Sequence, residues 1–412
     1  MAGEMIAPDD YNGLTELKAS LPASTYYDPE RFERELKALW YRNWIYVCRA
    51  SEIAEPRSYV TDTIGTQPVL LVRGEDGVIR GFFNTCRHRG SVLCTEHKGT
   101  LKGRLIVCPY HAWSFDLEGA LRRSPTLRAP DGFERADHGL LPIAVHEWRG
   151  FVFVNLAGAE ATDFMKSFRR EPTALDNWPL EDLVVGHRFE KEVACNWKIF
   201  WENYSECLHC PGVHPELCDL VPIYSRAIMD EKDDPDWAAH RQAGDPALAG
   251  PRYEGGLKTG AETWAMDGRA HGVALQGLSE ADKAAGMTFV TLLPSFFAVG
   301  HVDYARAVSL RPLGPERTLL TAEWLFMKET LADPQFDMAN VVEFAKIVLG
   351  QDAMACELNQ KGLRAEAFKN GVLFPEEYYV HQVQEWVRRG MGEAPQIEGD
   401  AEGGYLSLGP KD

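Results

Sequence analysis

The stretch "CRHRGSVLCTEHKGTLKGRLIVCPYHAW" (86–113) holds two short turns of the same make-up. The first reads C-x-H (Cys86, His88) and the second C-x2-H (Cys108, His111), with residues 89–107 between them. The order of the side chains matters. A zinc finger draws like ligands from each turn, as C-x2–4-C and H-x3–5-H, whereas here each turn offers one thiolate and one imidazole.

Two loops of this kind can place both thiolates on one iron of a [2Fe–2S] pair and both imidazoles on the other, the ligand set of a Rieske centre. Neutral imidazole donates less charge than thiolate, so such a centre lies at roughly −150 to +300 mV, against about −400 mV for an all-cysteine ferredoxin. It accepts an electron readily and passes it on. The plainer readings are two buried cysteines beside two turn histidines, or a distorted zinc site. Gly90 and Pro109 favour the cluster, because two tight turns must aim backbone N–H groups at its sulfurs.

Around these turns the chain is β-rich. "SYVTDTI" (58–64), "QPVLLVR" (67–73), "VIRGFFN" (78–84), "RLIVC" (104–108) and "GFVFVNL" (150–156) read as short strands, with a hairpin turn at Glu75-Asp76-Gly77. An all-β Rieske domain is therefore expected over 44–156. Upstream, "ERFERELKALWY" (30–41) has helical spacing, and 1–43 is expected to be a helical segment packing with the domain formed by 157–412. Downstream, 157–412 mixes "ATDFMKSFRREPTALDNW" (161–178) and "WKIFWENYSECLH" (197–209), which look helical, with three runs that look like antiparallel strands, 288–300, 304–314 and 317–327. The fold class is α+β. Residues 230–283, rich in Asp, Gly and Ala, suggest a long loop or lid.

Within that second half, "ENYSECLHCPGVH" (202–214) carries His209 and His214. On a continuous helix they would lie far apart around its circumference; Cys210-Pro211-Gly212 is expected to end the helix and turn His214 back toward His209. Two imidazoles facing one point, joined by one carboxylate, suit a non-haem iron(II) with open positions for O2 and substrate. Residues 337–363 offer the carboxylate. Their inner stripe runs Val341, Phe344/Ala345, Val348, Asp352, Ala355/Cys356, Asn359, so Asp352 stands where an apolar residue belongs. A nearby cation would keep such a carboxylate ionised; pairing with an arginine or capping a neighbouring segment is the ordinary alternative. By spacing alone, Glu202 and Glu206 also remain candidate ligands.

Composition narrows the partners. The 412 residues are 45% hydrophobic and carry a formal net charge of −18 with no basic run, which disfavours nucleic acid and anionic membrane surfaces and leaves a small-molecule substrate. The N-terminus "MAGEMIAPDDYNGL" has no leader pattern and no window is long and apolar enough for a membrane span, so a cytoplasmic location is expected. Nine irregularly spaced cysteines fit metal ligands and buried thiols better than a disulfide framework. No G-x-G-x-x-G lies between a strand and a helix, so no NAD site is expected on this chain.

Taken in this order, the two constellations resemble the catalytic α subunit of the Rieske non-haem iron oxygenases, also called ring-hydroxylating oxygenases. "CRHRG…CPYHAW" corresponds to the cluster motif, E-N-Y…E-x2-H-x4-H to the iron motif and Gln351-Asp352 to the third ligand. The resemblance implies a catalytic domain with an antiparallel sheet covered by helices, helix-grip-like. It implies a [2Fe–2S] cluster on Cys86, His88, Cys108 and His111, and Fe(II) on His209, His214 and Asp352. Glu206 is then no ligand but a bridge to His111 of the partner subunit in a head-to-tail homotrimer.

O2 is the implied co-substrate, with electrons from NAD(P)H through a separate flavin/iron–sulfur reductase. Glu rather than Asp at the bridging position points to the branch acting on quaternary ammonium compounds: choline, glycine betaine, carnitine and proline betaine. Hydroxylating an N-methyl group gives a hemiaminal that loses formaldehyde. The alternative is a mono- or dioxygenase, or demethylase, of an aromatic acid; an electron carrier with a cluster and no second iron is a third reading. A quaternary ammonium donates no hydrogen bond, so its recognition falls to aromatic faces, with Trp201, Tyr204, Trp264, Phe289, Phe296, Phe297 and Tyr304 as candidates.

Overall fold

The computed structural model describes residues 11–126, 128–129, 131–168, 172–235 and 256–394. The chain divides into two compact units, one formed by 36–167 with 293–295, the other by 1–35, 168–292 and 296–412.

The first unit is built on a seven-stranded sheet. Its strands are β1 (Ile45–Arg49), β2 (Ser58–Ile64), β3 (Gln67–Arg73), β4 (Ile79–Phe83), β5 (Lys98–Thr100), β9 (Pro142–Trp148) and β10 (Phe151–Asn155), in the order β1-β10-β9-β4-β3-β2-β5. Strand β3 is an unbroken apolar run because both its faces are covered: Val69, Leu70, Leu71 and Val72 are all fully buried. Between β5 and β9 a small sheet of β6 (Leu105–Val107), β7 (Ser114–Asp116) and β8 (Leu121–Arg123) holds the second cysteine turn at its β6–β7 connection. The turn read at Glu75-Asp76-Gly77 joins β3 to β4, with Gly77 at φ +80°, a conformation its missing Cβ allows.

The second unit carries a five-stranded antiparallel sheet of β11 (Val184–Val193), β12 (Thr288–Leu292), β13 (Phe296–Gly300), β14 (Ala305–Gly314) and β15 (Arg317–Phe326), in the order β11-β15-β14-β13-β12. Helices α2 (Trp197–Tyr204), α5 (Met338–Gly362) and α6 (Tyr378–Gly390) cover it: α2 packs on α5, α6 and β14, and α5 packs on β11. The α+β layout read from the sequence holds.

Three local readings change. The helix expected over 161–178 is replaced, among the described residues, by single turns at Met165–Ser167 and Thr173–Leu175; Pro172 has no N–H to continue a helix, and Phe164, Phe168, Leu175 and Trp178 are buried without one. The helix over 30–41 runs as α1 (Pro29–Glu35) and then widens into a π-helical turn, Leu36–Trp40. Of the lid expected over 230–283, residues 236–255 lie outside the described residues, and 256–279 have no regular structure before a short helix, Glu280–Ala285, capped by Ser279. No helix among the described residues is long and apolar enough to cross a membrane.

An ion pair fixes α2, the helix that leads into the histidine segment. Asn196 caps it, accepting a hydrogen bond from the Lys198 backbone N–H. The Lys198 ammonium, fully buried, sits 2.7 and 2.9 Å from the two Glu35 carboxylate oxygens. Trp197 Nε1 and Arg31 Nε also donate to Glu35, at 3.1 and 3.0 Å. Burial pushes the Lys198 pKa below its ordinary value, and Glu35 opposes that shift. Glu35→Ala, which strands a buried ammonium, is expected to cost about 3–5 kcal/mol. The urea midpoint reads the loss, and Glu35→Leu with Lys198→Met should recover most of it.

Candidate active site

The sequence placed the helix break at Cys210-Pro211-Gly212. In the structure α2 ends earlier, at Tyr204, and residues 205–209 form the turn. Cys210–Val213 is then a single helical turn, α3, with Pro211 near its start, where a missing N–H costs nothing. His209 precedes this turn and His214 follows it, the His214 N–H bonding to the Cys210 carbonyl at 2.9 Å. Helix α4 (Pro215–Leu220) begins directly afterwards. The two imidazoles therefore bracket one turn and face the same point.

At that point three lone-pair atoms converge. His209 Nε2 and His214 Nε2 are 3.1 Å apart, and Asp352 Oδ1, from α5, lies 2.9 Å from His214 Nε2 and 3.4 Å from His209 Nε2. Neighbouring ligands of a six-coordinate ion bound at about 2.1 Å are about 3.0 Å apart, so the spacing is that of one octahedral face. Burial lowers the affinity of His209 for a proton, yet the Asp352 and Glu206 carboxylates outweigh it and push its pKa up to about 9. The site holds positive charge, and a divalent cation fits it.

The opposite ring edges are fixed by acceptors. His209 Nδ1 is 2.6 Å from Glu206 Oε1, and the other Glu206 oxygen accepts the His209 backbone N–H at 3.2 Å. His214 Nδ1 donates to Gln351 Oε1 at 2.8 Å, and the Gln351 amide donates in turn to Glu216 at 2.9 Å. In each ring Nδ1 faces an acceptor, so the neutral imidazole keeps its proton there and presents Nε2 for ligation. Glu206 thus stands behind a ring rather than in the triad. The supporting role of Gln351 escaped the sequence reading, although it adjoins Asp352.

Asp352 does interrupt an inner stripe: Val341, Phe344, Ala345, Val348 and Cys356 are buried as expected. Ala355 and Asn359 are not, and Ala353 and Gln360 take their places. Cys207 and Cys210 are joined by a disulfide, a pairing that the irregular cysteine spacing did not suggest; Cys86 and Cys108 remain thiols.

A cavity of about 100 Å³ opens from the triad, lined by Tyr204, Trp264, Phe289, Phe297 and Arg306 among others. It has room for several water-sized groups, each needing about 10–15 Å³ on this measure. Of the aromatic candidates, Tyr204, Trp264, Phe289 and Phe297 face it; Trp201, Phe296 and Tyr304 are core residues and do not.

The cysteine turns of the first unit are twins. In each, the cysteine N–H bonds to the carbonyl five residues on (Cys86 to Ser91, Cys108 to Trp113, both 2.8 Å), and the residue four on bonds back to the cysteine carbonyl (Gly90 at 2.9 Å, Ala112 at 3.0 Å). Gly90 and Ala112 both have positive φ, +75° and +55°. Backbone N–H groups two and three residues on, at His88 and Arg89 and at Tyr110 and His111, point at the two sulfurs. The cysteines are buried in the core with Leu70, Phe82 and Phe115. His88 and His111 stand outside it, their rings 4.8 Å apart, with His88 stacked on Trp113. Two buried thiols, two outer imidazoles and inward N–H groups fit a [2Fe–2S] cluster.

A Rieske pocket in one unit and a two-histidine, one-carboxylate face in the other define a class, the iron oxygenases that spend externally supplied electrons on O2. Residues 43–145 match the Rieske [2Fe-2S] domain, and residues 180–393 match the ring hydroxylating alpha subunit (catalytic domain). The glycine betaine monooxygenase oxygenase subunit of Chromohalobacter salexigens is 32% identical over 382 residues, 85% of this chain and 81% of that protein. The carnitine monooxygenase oxygenase subunit of Escherichia coli is 27% identical over 90% of this chain and 91% of its own length. The fold is shared with the crystal structure of the quaternary ammonium Rieske monooxygenase CntA in complex with L-carnitine (TM-score 0.67, 23% identity, covering 93% of this chain and 99% of that one). The chain belongs to the ring-hydroxylating α subunits, the catalytic subunits of Rieske non-haem iron oxygenases, whose cofactors are a [2Fe–2S] cluster and a mononuclear iron.

Glu202, a candidate ligand by spacing, lies away from the triad. It accepts hydrogen bonds from Tyr26 Oη at 2.7 Å and Gln384 Nε2 at 3.1 Å. Burial outweighs these donors and pushes its pKa from an ordinary 4.5 up to about 7. The folded protein keeps this proton to about pH 7 while the unfolded chain releases it near 4.5, so the folded state loses stability as pH rises through that window. Glu202→Gln should therefore raise the melting temperature at pH 8, by roughly 2–3 kcal/mol in stability, and leave it nearly unchanged at pH 4.5.

Proposed function

We propose that this chain hydroxylates an N-methyl group of a quaternary ammonium compound, a betaine such as glycine betaine or proline betaine, and so demethylates it with release of formaldehyde. The observation that carries this reading is the aromatic wall of the cavity beside the triad: Tyr204 stacks on Phe297 at 4.1 Å, and Phe289 and Trp264 complete it. Aromatic faces are the groups that recognise a cation with no N–H to donate. Relatives named for glycine betaine and carnitine support the same substrate class.

In this proposal Cys86, His88, Cys108 and His111 hold the cluster, and His209, His214 and Asp352 hold the iron. When bound, the iron supplies O2 activation and the cluster supplies the electrons. The chain's own residues do the rest. Glu206 and Gln351 hold the two iron histidines in the tautomer that ligates, and the aromatic wall excludes water and turns an N-methyl group toward the triad.

Glu206 keeps one oxygen free of any ring, and His111 is half-buried at the edge of its domain. This supports the bridge from Glu206 to His111 of the partner subunit in a homotrimer, fed by an NAD(P)H-dependent flavin/iron–sulfur reductase.

Formaldehyde measured with glycine betaine, proline betaine, carnitine and benzoate, in the presence of such a reductase, tests the reading. One formaldehyde per O2 consumed is expected with a betaine, and none with benzoate; oxidation of benzoate alone would overturn it. Iron should stand at about three per chain. Asp352→Ala should lower it to about two and abolish turnover, with the visible spectrum of the cluster kept. Gln351→Leu, which frees the His214 ring, should weaken iron binding by roughly 10–100-fold, read by competition with a chelator.

A further inference from the structure

Among the described residues that line the cavity, Arg306 is the side chain whose charge the site does not account for. It lies on β14, only 5% exposed, and its Nε and Nη1 have no hydrogen-bond partner among the described residues. A buried guanidinium with two of its nitrogens unpartnered is costly for a fold to keep. Burial lowers its pKa; among the groups that oppose the shift, Tyr304, Tyr204 and Asp352, only Asp352 is a carboxylate, and it belongs to the triad.

The sheet places Arg306 toward the cavity. Phe289 pairs with Val299, and Val299 with Arg306, across β12, β13 and β14, so the three project from one sheet face, and all three line the cavity. The guanidinium carbon lies 5.7 Å from the ring centre of Trp264, whose Nε1 is likewise unpartnered among the described residues. The cavity thus combines an aromatic wall, a fixed guanidinium fork and a triad built for a cation.

We propose that Arg306 is the specificity-determining residue that takes the carboxylate of the substrate, so the site selects a zwitterion bearing both a carboxylate and a quaternary ammonium. This rests on the quaternary ammonium reading above. A carboxylate satisfies the fork with two parallel, charge-assisted bonds. A cation without a carboxylate, such as choline, leaves Arg306 unpaired and adds a second positive charge beside it. Discrimination of this kind exceeds what a missing methylene achieves, because the penalty falls on the site's own buried donors.

Calorimetry with glycine betaine and choline on the iron- and cluster-loaded protein tests the inference, with formaldehyde release as a second readout. The wild type is expected to bind glycine betaine at least about a hundredfold more tightly than choline. In Arg306→Gln that preference should fall below about tenfold through loss of betaine affinity, and Arg306→Lys should restore part of it, since an ammonium keeps the charge without the fork. Unchanged iron content and cluster spectrum show that the variants fold, and the wild-type ratio stands as a test should they not. Equal wild-type affinity for the two ligands, or an equal loss of both in Arg306→Gln, overturns the Arg306 assignment alone. Failure of the wild type to bind or demethylate any quaternary ammonium compound overturns the function itself, and this inference with it.

Discussion

Three atoms that repel one another set the design of the catalytic unit. Two imidazole Nε2 atoms and a carboxylate oxygen stand within 3.4 Å of one another, and lone pairs at that distance require a positive charge between them. A proton can serve in part: the Asp352 and Glu206 carboxylates push the His209 pKa up to about 9. A divalent ion serves better, since it is shared by all three atoms at once and leaves the far side of its coordination shell open. The surrounding bonds follow from this requirement: each ring must present Nε2, so each Nδ1 must find an acceptor, and Glu206 and Gln351 are those acceptors.

Rigidity at the triad is delivered from a distance. Asp352 rides on a 25-residue helix and the histidines on a short turn, so the two can hold register only if the segment before the histidines is itself anchored. The buried Lys198–Glu35 pair at the start of α2 does this, tying the histidine segment to α1. Such a pair adds little net stability compared with an apolar substitute; here it joins α2 to α1 through both Glu35 oxygens. The cysteine turns solve a similar problem by repetition, with the same hydrogen bonds and the same left-handed residue used twice.

Much of this was legible in the sequence because it depends on residue type and spacing. C-x-H and C-x2-H fix which atoms each turn can offer, and Asp352 stood out because an apolar stripe ran on either side of it. What was not legible depends on partners far away in the chain. Whether residues 161–178 form a helix turns on Pro172 and on tertiary burial of Phe164 and Trp178, both invisible to local periodicity. The break in the iron segment was placed one turn late, since Pro211 starts a helical turn as readily as it ends one. Arg306 sits in a strand between two alanines, and only the register across three strands shows that it faces the cavity beside Phe289.

Charge acts in this protein on two length scales with opposite preferences. A formal net charge of −18 gives the whole molecule a negative field, which draws in cations and repels simple anions at distances near the Debye length of about 8–10 Å. Inside the cavity the order reverses. There Arg306 is positive and an iron held by the triad would be too, the screening is weak, and a bare cation would meet repulsion where an anion would meet a partner. On the proposed assignment, a ligand cationic at one end and anionic at the other carries no net charge, so the outer field does not repel it, and inside it would find a partner for each end. Each of its two charges must still be desolvated on entering, a cost that only a partner at each end would offset. In the proposed reading the aromatic wall takes the ammonium end that the guanidinium rejects, and the pull of the two sites on opposite ends would orient the molecule before any chemistry begins.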